Sequence, residues 1–229
     1  MLYTVADLFN VDATEHRALF DGCQHPWEPL QRLVDYLRAA REPVQRHRTL
    51  GRAFIGEQVL LGEGTVVEEG AMILGPAIIG RDCQIRHNAY LRENVVVGDG
   101  CVVGNSCEVK HSILLNGAQV PHFNYVGDSI LGHRAHLGAG SILSNLKLAP
   151  GNIWIEMDGR CLDTGLRKLG ALLGDGAQVG CNAVLNPGSI IGRHAHVYPN
   201  VSWRGILPGN MIAKNKAPQE VAILRPRGD

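Results

Sequence analysis

An apolar residue recurs at every sixth position through the middle of the chain. From Ile55 onward, eleven successive positions in this register are aliphatic: Ile55, Leu61, Val67, Ile73, Ile79, Ile85, Leu91, Val97, Val103, Val109 and Leu115. A period of six fits neither a 3.6-residue helix nor the two-residue alternation of an ordinary strand. It is the period of a hexapeptide parallel β-helix, in which each hexad forms one flat side of a triangular coil. The spacing therefore predicts an all-β, single-stranded parallel β-helix.

The repeat also predicts how the coils stack. Three hexads complete one coil, so residues 18 apart should lie one strand spacing, about 4.8 Å, above each other. The pattern resumes at Leu131 and continues, after an interruption, from Leu173 to Val197. It predicts roughly six coils around an aliphatic core.

The first 50 residues lack the hexad. Within them, the segment HPWEPLQRLVDYLRAAR places Leu30, Leu33 and Leu37 on one face of an amphipathic helix. The end of a β-helix exposes unpaired strand edges, which repeat proteins cover with a cap. We therefore expect residues 1–50 to form an N-terminal α-helical cap that lies across the end of the β-helix.

The rest of the chain divides into a β-helix, an insertion and a tail. We assign the β-helix to residues 51–205 and a C-terminal tail to residues 206–229. The repeat is interrupted at about residues 146–172. Here Ile153, Ile155 and Met157 alternate before Asp158-Gly159, a pattern that predicts a hairpin with a tight turn.

Composition argues against several classes of function. The 22 basic and 22 acidic residues cancel, so bulk charge predicts neither a nucleic-acid partner nor an anionic membrane surface. No apolar run approaches 18 residues, and we expect a soluble, cytoplasmic protein. Cys83, Cys101 and Cys107 occupy small inward positions, and the chain has no C-x-x-C motif. Buried thiols are therefore expected rather than a structural zinc site.

Several polar residues interrupt the regular repeat. Arg92 and Lys110 differ by 18 positions, so they should stack on one edge and could bind a phosphate. His122 lies in an irregular segment and could act as a general base, because an imidazole can accept and release a proton near neutral pH. In the same region Tyr125 and Asn145 could position a polar substrate, and Ala139 in LGAGS could present a backbone N–H to an incoming oxygen.

These residues belong to a stretch that resembles a known family. The segment EVKHSILLNGAQVPHFNYVGDSILGHRAHLGAGSILSN is similar to the acetyltransferase domain of the bifunctional glucosamine-1-phosphate acetyltransferase and N-acetylglucosamine-1-phosphate uridyltransferase family. The resemblance covers residues from about 55 to 205. It implies a left-handed β-helix, a homotrimer and the use of acetyl-CoA, with no metal. The later stretch TGLRKLGALLGDGAQVGCNAVLNPGSIIG is closer to the C-terminal domains of related sugar-phosphate nucleotidyltransferases.

The resemblance also implies roles for individual residues. It places His122 at the catalytic base, the backbone of Ala139 at the acetyl-CoA thioester and Cys181 near the cofactor. Substrate contacts are implied for the remaining matched positions, namely Arg92, Lys110, Tyr125, Asn145 and Lys168. Two positions depart from the family pattern, since its asparagine is His136 here and its serine is Cys181.

Three functions are compatible with these observations. The first is an acetyl-CoA-dependent N-acetyltransferase that acts on an amino-sugar phosphate in nucleotide-sugar biosynthesis, with His122 as general base. The second is a non-catalytic, trimerising or sugar-nucleotide-binding β-helix module. The third is a zinc enzyme of the carbonic-anhydrase type, but His133/His136 and His194/His196 lack the H-x-x-x-x-H spacing that such a site is expected to have.

Overall fold

The fold is a triangular β-helix whose three sides are parallel sheets. A computed structural model of the protein describes residues 3–40 and 48–215. Face A consists of Arg48–Thr49, Val66–Val67, Gln84–Ile85, Val102–Asn105, Gln119–His122, His136–Leu137, Gln178–Val179, His196–Val197 and Ile212–Ala213. Face B consists of Phe54–Ile55, Met72–Ile73, Tyr90–Leu91, Glu108–Lys110, Tyr125–Gly127, Ile142–Leu143, Val184–Leu185 and Ser202–Trp203. Face C consists of Val59–Leu61, Ala77–Ile79, Val95–Val97, Ser112–Leu114, Ile130–Leu131, Ala171–Leu173, Ser189–Ile191 and Ile206–Leu207.

Aliphatic side chains from all three faces fill the interior. The first residue of each hexad points inward and is buried, as at Ile73, Leu91 and Val109. Cys83 and Cys101 are buried in the same core as free thiols. The predicted all-β parallel β-helix is confirmed, with the left-handed form that the resemblance implied. Face A has nine strands within the described residues, so the helix is longer than the roughly six coils predicted.

Two consecutive coils are one residue shorter than the repeat predicts. Val97 pairs with Leu114 and Leu114 with Leu131, 17 positions on instead of 18. The predicted inward position of Leu115 is therefore wrong: Leu114 fills the interior, and Leu115 packs outside the coil. In both coils the residue is lost at the corner between faces B and C, where His111 (φ 44°) and Asp128 (φ 48°) adopt left-handed backbone conformations. We call this edge the BC corner, and name the other two edges in the same way.

The N-terminal segment covers a side of the β-helix, not its end. It contains α1 (Val5–Leu8), 3-10 turns at Val11–Ala13 and Arg17–Leu19, and α2 (Glu28–Ala39). Leu30, Leu33 and Leu37 of α2 are buried, as their spacing predicts. They belong to a second apolar cluster with the outward side chains of face C, including Val96 and Ile113. We call this the face C cluster. The cap was predicted across the end, but outward apolar residues run along most of face C and require cover there.

The insertion folds as a hairpin on the same face. Its strands are Trp154–Met157 and Arg160–Asp163, joined at Asp158-Gly159, where both residues have positive φ angles of 55° and 70°. Two positive φ angles are typical of a type I′ turn, which matches the twist of the paired strands. The buried side of the hairpin joins the face C cluster through Ile153, Ile155 and Met157.

The β-helix extends past the boundaries expected from the sequence. Its first strand, Arg48–Thr49, pairs with Val66–Val67, and its last, Ile212–Ala213, pairs with His196–Val197. The part of the predicted tail over residues 216–229 lies outside the described residues, as do residues 41–47 of the N-terminal segment. Among the helices that are described, none is long and apolar enough to span a bilayer.

Candidate functional site

Arg92 and Lys110 lie one above the other at the BC corner. Each follows the inward residue of a face B strand, and the backbone N–H of Arg92 donates to the carbonyl of Val109 at 2.8 Å. Val109 pairs with Leu91 in the parallel register of face B. Both cations therefore leave the same edge of the molecule on adjacent coils.

Carboxylates neutralise both cations. The Arg92 guanidinium lies 3.1 Å from Glu108 and 3.5 Å from Glu93. Lys110 Nζ lies 3.6 Å from Asp128 Oδ2, and these two side chains are only 14% and 8% exposed. Since the Lys110–Asp128 pair is nearly excluded from water, its geometry is fixed more strongly than that of a surface ion pair.

Asn145 and Tyr125 complete this group. Asn145 Nδ2 donates to Asp128 Oδ2 at 2.5 Å, which places the amide above the Lys110–Asp128 pair. A Cβ on Gly127 would lie 2.6 Å from Tyr125 Oη and 2.7 Å from Asn145 Nδ2, so only glycine leaves room for both groups. We call Arg92, Glu108, Lys110, Tyr125, Asp128 and Asn145 the corner cluster.

The pKa values of Tyr125 and Glu93 are both shifted at this corner. Burial raises the pKa of Tyr125, and the negative charges of Glu108 and Asp128 raise it further. The Tyr125 hydroxyl therefore stays protonated and can donate a hydrogen bond. A backbone hydrogen bond lowers the pKa of Glu93, and Arg92 and Lys110 lower it further. Glu93 is therefore ionised at neutral pH.

Lys168 lies where the hairpin insertion returns to the BC corner. The N–H of the next residue, Leu169, donates to the carbonyl of Asn145 at 3.0 Å, and the N–H of Gly170 donates to the carbonyl of Asp128 at 2.8 Å. The Lys168 side chain is exposed. Its backbone is thus fixed beside the corner cluster, with the ammonium group in solvent.

His122 lies at the AB corner, on the opposite edge of face B. It ends the strand Gln119–His122, and its imidazole is exposed. Its backbone N–H donates to the side-chain oxygen of Asn124 at 3.1 Å. The buried Asn124 amide donates in turn to the carbonyls of Gly138 and Ser141. The turn that carries His122 is therefore rigidly held.

Ala139 and Cys181 stack above His122 on the same corner. The N–H of Gly140 donates to the carbonyl of His122 at 3.0 Å, and the N–H of Asn182 donates to that of Ala139 at 2.9 Å. The backbone N–H groups of Ala139 and Cys181 donate to no acceptor in the described part of the chain. We call His122, Ala139 and Cys181 the histidine edge. Its two upper residues combine small side chains with free N–H groups, which would suit a thioester carbonyl.

His136 lies on face A close to the histidine edge. Its ring Nδ1 is 3.2 Å from the side-chain oxygen of Gln119 on the neighbouring strand. Burial lowers the pKa of His136, and the nearby His122 lowers it further. His136 is therefore neutral at pH 7.

The structure brings the predicted residues together as two groups, not one. Arg92, Lys110, Tyr125 and Asn145 meet at the BC corner with Lys168 beside them, and face B separates them from the histidine edge. Within residues 3–40 and 48–215, no hydrogen bond or ion pair joins His122 to either cation. Tyr125 lies on face B only three positions after His122. Along the sequence it is therefore the residue of the corner cluster that is nearest to the histidine edge.

Sequence reasoning missed the carboxylates of the corner cluster. Glu108 lies two positions before Lys110, and strand alternation puts both side chains on the outer surface. The position of Glu108 beside Lys110 could therefore have been predicted from the sequence. The position of Asp128 could not, because it depends on the two shortened coils. In the described residues, no group of three or more His, Cys, Asp or Glu side chains has the arrangement of a metal site.

A family model matches the part of the chain that carries most of these residues. The model, described as the GMPPB C-terminal domain, matches residues 73–158. This range includes the corner cluster, His122 and Ala139, but it excludes Lys168 and Cys181.

Curated relatives show the same local similarity. The bifunctional sugar-1-phosphate nucleotidylyltransferase/acetyltransferase of Sulfurisphaera tokodaii is 36% identical over 90 residues, which are 39% of this chain and 22% of the relative. The bifunctional protein GlmU of Methanococcus maripaludis is 34% identical over 91 residues, which are 40% of this chain and 22% of that protein. The matches thus span about a fifth of these relatives' length. They confirm the resemblance indicated by the sequence motifs.

A solved structure also aligns with part of this chain. The structure of the Francisella novicida UDP-N-acetylglucosamine acyltransferase aligns with 73% of this chain and 64% of its own, at 15% identity and a TM-score of 0.48.

Proposed function

We propose that this protein transfers an acetyl group from acetyl-CoA to the amine of an amino-sugar phosphate. The observation that carries the proposal is the corner cluster, in which two cations, two carboxylates, an amide and a hydroxyl are held against one another on rigid coils. Such a mixture suits a phosphorylated sugar, because sugar hydroxyls can donate to the carboxylates while phosphate oxygens accept from cations. The similarity to bifunctional proteins with an acetyltransferase activity in their name supports the reaction type.

The two groups take different roles in this reaction. Arg92, Lys110 and Lys168 bind the phosphate, and Tyr125 and Asn145 orient the sugar. His122 removes a proton from the attacking amine as its nitrogen bonds to the thioester carbonyl carbon, and it returns the proton to the sulfur when the C–S bond breaks. The free N–H of Ala139 stabilises the carbonyl oxygen as negative charge develops on it. Cys181 borders the acyl-CoA.

Subunit association would complete the arrangement. The pantetheine arm of the cosubstrate would lie along the coils, between neighbouring subunits of a cyclic homotrimer. Flat prism sides suit packing about a threefold axis. No metal takes part in the proposed reaction.

Release of CoA from acetyl-CoA tests the proposal. The purified protein is incubated with acetyl-CoA and glucosamine-1-phosphate, glucosamine or a different amino-sugar phosphate, and both the thiol and the acetylated amine are quantified. We expect turnover only with the phosphorylated amine, and a decrease in kcat of about 10²- to 10⁴-fold in His122→Ala. His133→Ala, which lies at the CA corner, is the control and should retain activity.

The same assay distinguishes the alternative of a non-catalytic module. Binding of an amino-sugar phosphate or a sugar nucleotide without acetyl transfer to any acceptor would favour that alternative. Equal activity of the wild type and His122→Ala would contradict the assigned base.

A further inference from the structure

The N-terminal segment packs directly behind the corner cluster. Three of its apolar partners, Ile113, Ile130 and Leu169, are fully buried in the face C cluster together with Leu30 and Leu33 of α2. Each of the three lies one to three positions after a residue of the site, namely Lys110, Asp128 and Lys168. The apolar cluster that contains the N-terminal segment therefore adjoins the chain that follows each of these residues.

Two polar contacts connect the first turn of α2 to the residue after Lys110 and to the segment that leads to Lys168. The Gln31 side-chain amide donates to the carbonyl of Thr164 at 3.0 Å, in the part of the insertion that leads to Lys168. The imidazole of His111, the residue after Lys110, lies against the carbonyl of Leu30. Adjacent residues of one helical turn thus contact both sides of the corner cluster.

The backbone of the BC corner is held by contacts on several sides. His111 and Asp128 have φ angles of 44° and 48°, a region that costs a non-glycine residue about 1 kcal/mol or more. Both lie where a coil has lost one residue. Strained conformations persist only where surrounding contacts determine them. Here the contacts are the coils below and above, through Glu93 and Gly170, and the N-terminal segment behind.

We propose that the first turn of α2 is a brace that holds Lys110, Asp128 and Lys168 in their binding geometry, with His111 and Gln31 as positioning residues. The brace lies outside the repeat, with Leu30 buried and Gln31 exposed. It acts on acceptor binding through the backbone, and neither positioning residue touches the acceptor. This inference rests on the proposed function for its kinetic consequence, but the coupling itself is a property of the fold.

Steady-state kinetics of His111→Ala and Gln31→Ala test the brace. We expect KM for the amino-sugar phosphate to rise about 3- to 30-fold in each variant, the range typical of residues that act at a distance. The KM for acetyl-CoA should stay unchanged, because the histidine edge lies across face B. Restoration of a low acceptor KM by His111→Gln, which can donate to the Leu30 carbonyl, would support a positioning role.

Two control variants distinguish a specific effect of the brace from a general loss of packing in the N-terminal segment. His133 contacts the same N-terminal segment at the CA corner, where its Nε2 lies 2.8 Å from the carbonyl of Asn10. His133→Ala should leave the acceptor KM unchanged, as should Arg38→Ala on the exposed side of α2. An equal rise in His133→Ala, or no rise in His111→Ala, would overturn the proposal.

Hydrogen exchange provides a readout that needs no turnover. We expect faster exchange in His111→Ala than in the wild type at residues 108–114 and 125–131, with no change at the AB corner. If the wild type transfers no acetyl group but this difference is present, the proposed function fails while the brace stands. If exchange at both corner segments is unchanged, the brace fails whatever the activity.

Discussion

Asp128 is the residue on which the corner cluster depends most. Its carboxylate accepts from Asn145 and pairs with Lys110, and both members of the ion pair are almost completely buried. Removal of one partner of a buried pair leaves an uncompensated charge and typically costs about 3 to 5 kcal/mol. We therefore expect Asp128→Ala to lower the free energy of unfolding by about 3 kcal/mol, as measured by urea denaturation.

A double variant separates stability from binding at this pair. Removal of both charges with side-chain volume kept is often neutral for stability, so Lys110→Met combined with Asp128→Asn should recover most of the lost stability. Asparagine tolerates the left-handed backbone conformation at this position and keeps an oxygen that can accept from Asn145. Acceptor binding should remain weak, because the phosphate-binding ammonium is gone. If the double variant is as unstable as Asp128→Ala, the buried charge is not the cause of the loss.

Sequence reasoning located individual residues better than their partners. Arg92 and Lys110 could be stacked from their spacing alone, because an 18-residue coil fixes which side chains share an edge. Strand alternation could have indicated Glu108 beside the cations, but the pairing of Lys110 with Asp128 could not be read from the repeat, because it depends on the shortened coils. This pairing means that a phosphate must compete with internal carboxylates, so acceptor affinity depends on geometry as well as charge.

At the level of elements, the least predictable feature was the place of α2. Its apolar face was evident from Leu30, Leu33 and Leu37, but a helical pattern does not specify which surface it covers. The sequence does mark the surface that α2 covers. In every third hexad the residue before the inward position is also apolar, as at Val96 and Ile190. Polar residues such as Gln84 and Gln178 occupy the equivalent positions of face A.

The contacts of the N-terminal segment should weaken in acid. Burial lowers the pKa of His16, whose Nδ1 lies 2.8 Å from Tyr36 Oη, although Glu15 and Asp99 oppose the shift. Burial also lowers the pKa of His111; Lys110 acts in the same direction, while Asp128, Glu93 and the Leu30 carbonyl oppose it. Both rings are therefore neutral in the folded protein at pH values where the unfolded chain begins to bind protons.

The sign of the pH dependence follows from this difference. Unfolded histidine titrates near pH 6.5, so the contribution of these rings is complete above about pH 6.5 and is lost as the pH falls through their lower folded-state values. We expect the protection factors of amides in residues 15–39, corrected for the intrinsic exchange rate at each pH, to fall between pH 7 and pH 5.5. The fall should be smaller in His16→Gln, whose side chain cannot titrate. An equal fall in both proteins would show that other groups are responsible.

For the whole molecule, the covered face restricts how copies can associate. A cyclic trimer needs two different surfaces on each subunit, because its contacts are head-to-tail. The N-terminal segment and the hairpin occupy face C, which leaves faces A and B. Face B presents Phe54 and Met72 on adjacent coils, and these side chains are 51% and 40% exposed. Stacked exposed apolar residues are typical of an interaction surface.

Sedimentation velocity tests this assembly directly. Three copies of the 24.8 kDa chain give a particle of about 74 kDa, and we expect the wild type to sediment as that species. Glutamate at both Phe54 and Met72 would place charges in the contact and should yield monomers. Leu148→Glu, at a fully exposed position in the insertion and outside the face B strands, is the matched control and should remain trimeric. If the double variant stays trimeric, face B does not supply the contact through these residues. A monomeric wild type would instead require both site groups to act within one subunit, across the width of face B.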